Sequence, residues 1–212
     1  MPQPLPDTPT LLTSRFNAHL TFNVLNTVQG FLLEKDAEGA FELVSCYSRL
    51  LHKMLINGRL DIPLKEEIET IQDYLQIERM RADGGFSFSV ETDPLLNNLI
   101  FPKSLMVSFV ENAIKHGIRK LNGIGWIQVS AKSTSNPDAG EGKTSIISIR
   151  NLAPAKINGY AHDHQTVHGH ELAYGLLEAY MDRTGQEITI EVREYPAEGG
   201  LLEVEVEITI KN

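Results

Sequence analysis

The apolar residues of this chain change period once, and that change limits what it can fold into. From about Thr13 to Arg81 they recur at helical spacing, and after Gly84-Gly85 they alternate in twos. A first helix is expected over 13–33, where Phe16, Leu20, Val24, Thr27 and Phe31, with Leu25, Val28 and Leu32, make a broad apolar stripe. After a short turn at Lys35-Asp36 and Gly39, a second helix is expected from about Ala40 to Ile56, ended by Asn57-Gly58. These stripes are wider than one hairpin can cover, so pairing of two hairpins into a dimeric four-helix bundle is expected. A third helix, 63–81, has Pro63 in its first turn and Glu66 and Glu67 at the positive end of its dipole. Beyond it FSFSVET, WIQVSA, TSIISIRN, EITIEVREY and LLEVEVEITI read as strands, the last two joined by AEGG as a hairpin. Two further helices are expected, one opened by Pro102 with SLMVSFVENAIKHGI as its body, the other from Glu171 to about Arg183. In the last strand Leu202, Val204, Val206, Ile208 and Ile210 alternate with polar residues, so the sheet has one wet face. The expected fold class is α+β: an extended proline-rich lead over 1–12, a helical hairpin over 13–60, and a mixed unit over 61–212 that begins with the connecting helix.

Charge and composition narrow the function. At a net charge of −9 with no basic stripe, direct nucleic-acid binding is not expected. A single cysteine, Cys46, excludes an internal disulfide, and its helical context points to a buried structural thiol. No run approaches the roughly 18 apolar residues of a membrane span. The segment MPQPLPDTPT has neither the charged nor the apolar region of a secretory signal. The expected location is cytoplasmic, either free or as the cytoplasmic part of a membrane-anchored sensor whose anchor lies in a preceding region.

Three clusters carry candidate chemistry. In HLTFN, His19 and Asn23 share a helical face, with Phe22 expected to turn toward the apolar stripe. A neutral imidazole there is a competent nucleophile and the amide can orient it, although a helical histidine taken alone is more often structural. In VENAIKHG, Glu111 and Lys115 are one turn apart, as are Asn112 and His116. An amide oxygen at Asn112 suits Mg²⁺ beside phosphates and Lys115 is a point charge for them, although such spacing taken alone is more often an exposed turn with one ion pair. The third cluster, His162, His164, His168 and His170, could bind Zn²⁺ or Ni²⁺. Trp126, at a strand start, reads as packing.

The order HLTFNVLN, then PLKEEIETIQDYLQIERMR, then FPKSLMVSFVENAIKHGI resembles the LytS-like sensor histidine kinases over nearly the whole chain. The resemblance implies a dimerising histidine-phosphotransfer hairpin followed by a Bergerat-type α/β sandwich that binds ATP and Mg²⁺. It implies that His19 is the phosphorylated histidine with Asn23 beside it, that Asn112 binds the metal, and that Glu111, Lys115 and His116 fill the other positions of that box. Glu111 is then the candidate to accept the imidazole proton, and the segment around 57–62 the flexible link between the two parts. The resemblance also implies that the segment with His162, His164, His168 and His170 is a mobile lid over the nucleotide instead of a metal site. The partner implied is the receiver domain of a response regulator, which takes the phosphoryl group on an Asp. Two boxes depart from the pattern. ISIRNLAP carries Arg150 and Asn151 where an adenine-binding Asp is expected, and GHELAYG keeps Gly169 but has Glu171 and Tyr174 in place of glycine and asparagine. Asn151 can still accept through its amide oxygen, whereas Glu171 would repel a triphosphate. The alternative is a non-catalytic phosphotransfer or scaffold protein with a degenerate ATPase domain.

Overall fold

The computed structural model describes residues 8–55, 59–83, 85–122, 124–134, 144–155 and 177–211, with 8–19 and 55 described by backbone alone. Helix α1 spans Thr8–Leu33. It begins earlier than expected, so residues 8–12 are helical rather than an extended lead. Pro9 lies in the first turn, where a missing N–H costs nothing, and no proline follows it until Pro63. Lys35 turns the chain at a φ of 62°. Asp36 then caps helix α2 (Ala37–Leu55), its Oδ1 accepting the Gly39 N–H at 2.9 Å. Leu20 and Val24 of α1 pack with Leu43, Cys46 and Leu50 of α2 in the buried core.

The link after α2 is tied down more than the sequence suggests. Asp61–Pro63 forms strand β1, paired antiparallel with β3 (Ile100–Pro102), and Arg183 Nη2 sits 2.8 Å from Asp61 Oδ1. Of the expected flexible stretch, 57 and 58 lie outside the described residues. Helix α3 (Leu64–Arg81) follows and runs through the interior, burying Ile68, Ile71, Leu75 and Ile77.

The main sheet has the order β2-β4-β5-β7-β6, with β2 Phe86–Thr92, β4 Gly125–Thr134, β5 Thr144–Pro154, β6 Glu187–Pro196 and β7 Leu201–Lys211. Among the described strands only β2 and β4 pair in parallel. A parallel pair needs a crossover, which β3 and helix α4 (Leu105–Asn112) supply. One sheet face carries Phe86, Ile127, Val129, Ile147, Ile149, Ile208 and Ile210 into a core continuous with α1 to α4 and with helix α5, described over 177–184. The other face is polar. The fold is α+β with its helices on one side of a mixed sheet.

Pro102 does not open a helix; it closes β3, and α4 starts at Leu105 after Ser104 at a φ of 65°. The expected single helix through ENAIKHGI also breaks. Ala113–Gly117 widens into a π turn and Ile118–Leu121 tightens into a 3₁₀ turn.

Candidate functional site at the end of helix α4

Glu111 and Asn112 end α4, and Lys115 and His116 lie in the π turn. Glu111, Asn112 and His116 are half-buried and Lys115 is exposed. Burial pushes the Glu111 carboxyl above its ordinary range, the charge of Lys115 pulls it back, and the carboxylate of Glu78 pushes it up again. The turn is seated directly on β5. A Cβ at Gly117 would lie 2.4 Å from Asn151 Nδ2 and 2.5 Å from the Leu152 carbonyl oxygen, so only glycine permits this approach. The Lys-His-Gly end of the motif is thus explained by contact: the glycine lets the polar turn sit on the strand that bears Asn151.

On that strand the concern over Arg150 resolves. Successive strand residues face opposite sides. Asn151 is buried under the turn, with its Nδ2 donating to the Leu152 oxygen at 2.9 Å. Arg150 points to the outer face, where its Nε donates to Glu203 Oε1 of β7 at 2.7 Å. Of the two residues expected at the acid's place, only Asn151 faces the turn, and the Arg150 cation lies on the far side of the sheet. Gly169, Glu171, Tyr174 and the His162–His170 cluster lie outside the described residues.

Two carboxylates of α3, Glu67, expected only to serve the dipole of its own helix, and Glu78, not singled out by the sequence, support this site from behind. Glu67, fully buried, accepts backbone N–H groups from Ser104 at 2.9 Å, Met106 at 3.1 Å and Val107 at 3.4 Å. It is a helix cap supplied from another helix, fixing the start of α4 and hence where α4 ends. Burial raises its carboxyl to about 7 against those three donors and the charge of Lys103. About three turns further along α3, Glu78 is buried between Arg81 and Arg119, with Arg119 Nη2 at 2.9 Å. Arg119 belongs to the 3₁₀ turn, so this pair ties the exit of the motif to α3. The string PLKEEIETIQDYLQIERMR in the resemblance was the available signal; it contains these residues but gave Glu78 and Arg81 no task and tied Glu67 only to its own helix.

On the hairpin, position 19 lies in α1, one turn before Asn23, and its side chain is outside what is described. Asn23 is half-buried, and its carbonyl accepts the Thr27 hydroxyl at 3.0 Å. Phe22 does not turn into the core. It is 68% exposed, as the α1–α2 core is already filled by Leu20 and Val24 on the opposite side of the helix. Cys46 is buried, and burial raises its thiol. Trp126 is half-buried on β4. Among the described residues no group of His, Cys, Asp and Glu is arranged to hold a metal, and no helix is long and apolar enough to cross a membrane.

The histidine kinase family model matches residues 9–86, which take in the hairpin and α3. The sensor histidine kinase BtsS of Escherichia coli is 34% identical over 122 residues, covering 58% of this chain and 22% of BtsS. The sensor protein LytS of Bacillus subtilis is 29% identical over 123 residues, covering 58% of this chain and 21% of LytS. The chain thus spans about a fifth of the length of each of these two relatives. A solved bacterial phosphotransferase is similar with a TM-score of 0.48 and 14% identity, over 97% of this chain and 99% of that one. By the family match, by these relatives and by the order of its motifs, the chain is similar to the LytS-like sensor histidine kinases.

Proposed function

We propose that this chain is the core of a two-component histidine kinase: it binds ATP with Mg²⁺, transfers the γ-phosphoryl group to His19, and passes it to an Asp on a response regulator. The observation that carries the reading is the seating of the Glu111–Gly117 turn on Asn151, which gathers polar groups suited to phosphate and base at the end of the inner sheet face that the described residues bury least. At that end Ala153, Leu202 and Val204 are half-buried and Val192 is 53% exposed, whereas Ile147, Ile208 and Ile210 at the other end are fully buried. An apolar, unsealed surface with a buried amide at its edge fits a purine base, and the turn beside it fits the phosphates.

In this reading Asn151 accepts from the base through Oδ1, since its Nδ2 is engaged by Leu152. Asn112 offers its amide oxygen to Mg²⁺, while Lys115 and His116 lie toward the phosphates. The nucleotide supplies the transferable group and the metal neutralises its charge; orientation is the chain's work. Glu111, held above the ordinary carboxylate range, takes or polarises the imidazole proton of His19, and Asn23 steadies the ring. The resemblance gives Gly169, which lies outside the described residues, to the phosphates as well. The functional division is a hairpin over 13–60 and a nucleotide-binding unit over 61–212.

The partners follow from the hairpin. Leu33 and Phe41 are 84% and 74% exposed, with Phe22, Leu25, Leu32 and Val44 exposed beside them on the two helices. So much apolar surface on one hairpin supports a homodimer closed as a four-helix bundle. A scaffold without nucleotide binding is the second reading, favoured by the Asn151 amide standing where an acid is expected. Calorimetric titration with ATP or ADP and Mg²⁺ separates the two. Saturable heat that Asn112→Ala abolishes is expected, and no heat up to millimolar nucleotide would remove the kinase.

A further inference from the structure

The main sheet ends at β6, and among the described residues no strand pairs with its far side. The hairpin register shows which backbone groups are left there. The Ala197 N–H donates to the Leu201 carbonyl at 2.9 Å and closes the β6–β7 hairpin. Hydrogen-bonded pairs then recur at every second residue, so Tyr195, Arg193, Glu191, Thr189 and Glu187 turn their N–H and C=O groups toward β7. Ile188, Ile190 and Val192 turn theirs outward. Pro196 falls in the same outward set, where a proline removes no ladder bond.

The side chains sort in the same alternation. On the inner face this edge carries Ile188, Ile190 and Val192, of which Val192 is 53% exposed. On the outer face it carries Glu187, Thr189 and Glu191, all exposed. Residues 187–211 hold seven acidic and two basic side chains, so this hairpin contributes −5 to the chain's net charge of −9. The two cations leave the edge acidic. Arg193 is shared among Glu191, Glu205 and Glu207, and Lys211 stands 3.6 Å from Glu187 with both side chains in water. Exposed pairs of this kind are weak and rearrange at little cost. An open edge takes a further strand through main-chain hydrogen bonds, and side chains decide which strand. The incoming strand must be apolar beside Ile190 and Val192 and cationic beside Glu187 and Glu191. The β6 of a second copy brings like charge to that outer row, which opposes self-pairing.

We propose that the free edge of β6 is a docking site for an extended segment of a partner protein that alternates basic and apolar residues and joins the sheet as an added strand. This docking is independent of phosphoryl transfer. It is tested on the whole chain with synthetic peptides and residue-resolved amide hydrogen exchange. In the chain alone, the amides of Ile188, Ile190 and Val192 are expected to exchange at least about ten-fold faster than those of Thr189, Glu191 and Arg193. A peptide alternating lysine and valine is expected to slow the first set about ten-fold, and one alternating glutamate and valine to leave it unchanged. The charge reversal Glu187→Lys with Glu191→Lys is expected to abolish the slowing, while protected amides in β5 show that the variant is folded. The milder pair Glu187→Gln with Glu191→Gln is expected to weaken it about three-fold. Protection of the first set before any peptide is added would overturn the proposal, because a segment of this chain or a second copy then holds the edge. No slowing at about millimolar lysine–valine peptide, equal slowing by the glutamate–valine peptide, or slowing that survives both substitutions would overturn it as well.

Discussion

Charged residues on the two sides of this sheet do opposite kinds of work. On the helix side, Glu67, Asp73 and Glu78 sit on α3 with almost no access to water, each held by groups from another segment. On the outer side, Arg193 of β6 lies among Glu191, Glu205 and Glu207 in the open. A buried carboxylate must be matched or the fold loses the whole cost of desolvating it, whereas an exposed one merely exchanges water for a neighbour. The buried set therefore fixes where α2, α4 and the ENAIKHG turn stand, and the outer ladder keeps one face wet.

Breaking members of each set sharpens this contrast. Glu78→Ala strands Arg81 beside an emptied site and is expected to cost about 3 kcal/mol or more in urea unfolding. Gly117→Ala forces a methyl against Asn151 and the Leu152 carbonyl; a loss of about 1–3 kcal/mol is expected, with nucleotide affinity falling alongside. Glu67→Ala removes a cap with three donors and should cost about 2 kcal/mol. The same residue gives a pH signature. Between its ordinary 4.5 and about 7, the folded chain keeps a proton on Glu67 that the unfolded chain has released. Stability from this group is therefore full below that window and declines as pH rises through it. Unfolding midpoints measured from pH 5 to pH 7.5 should show the decline in wild type and a flatter course in Glu67→Gln; equal slopes would discard the assignment. The smallest effect is expected for Arg193→Ala, which should leave the midpoint unchanged despite three neighbouring carboxylates.

What the sequence made legible was whatever has a period or a string. The helices of the hairpin, the connecting helix and the alternating strands were read near their true limits, because burial follows period in each. The opposite facing of Arg150 and Asn151 was also contained in the strand's period of two, and reading them as one box blurred it. The pairing of Asp61–Pro63 with Ile100–Pro102 was not legible, because three residues carry no periodic signal and their partner is distant in sequence. The π turn was hidden for a related reason. Its cause is Gly117 meeting a strand that arrives more than thirty residues later. Glu67 looked like an ordinary first-turn acid, and only the tertiary arrangement reveals that the helix end it stabilises is that of α4 rather than its own.

The central claim is that a phosphoryl group passes from nucleotide bound near Asn112 and Asn151 to the imidazole at position 19. Incubating the whole chain with γ-labelled ATP and Mg²⁺ tests it directly. Acid-labile, alkali-stable label that is lost in His19→Ala, while that variant still binds nucleotide by calorimetry, is the outcome expected. Label that persists in His19→Ala, or wild type that binds ATP and never becomes labelled, would contradict it.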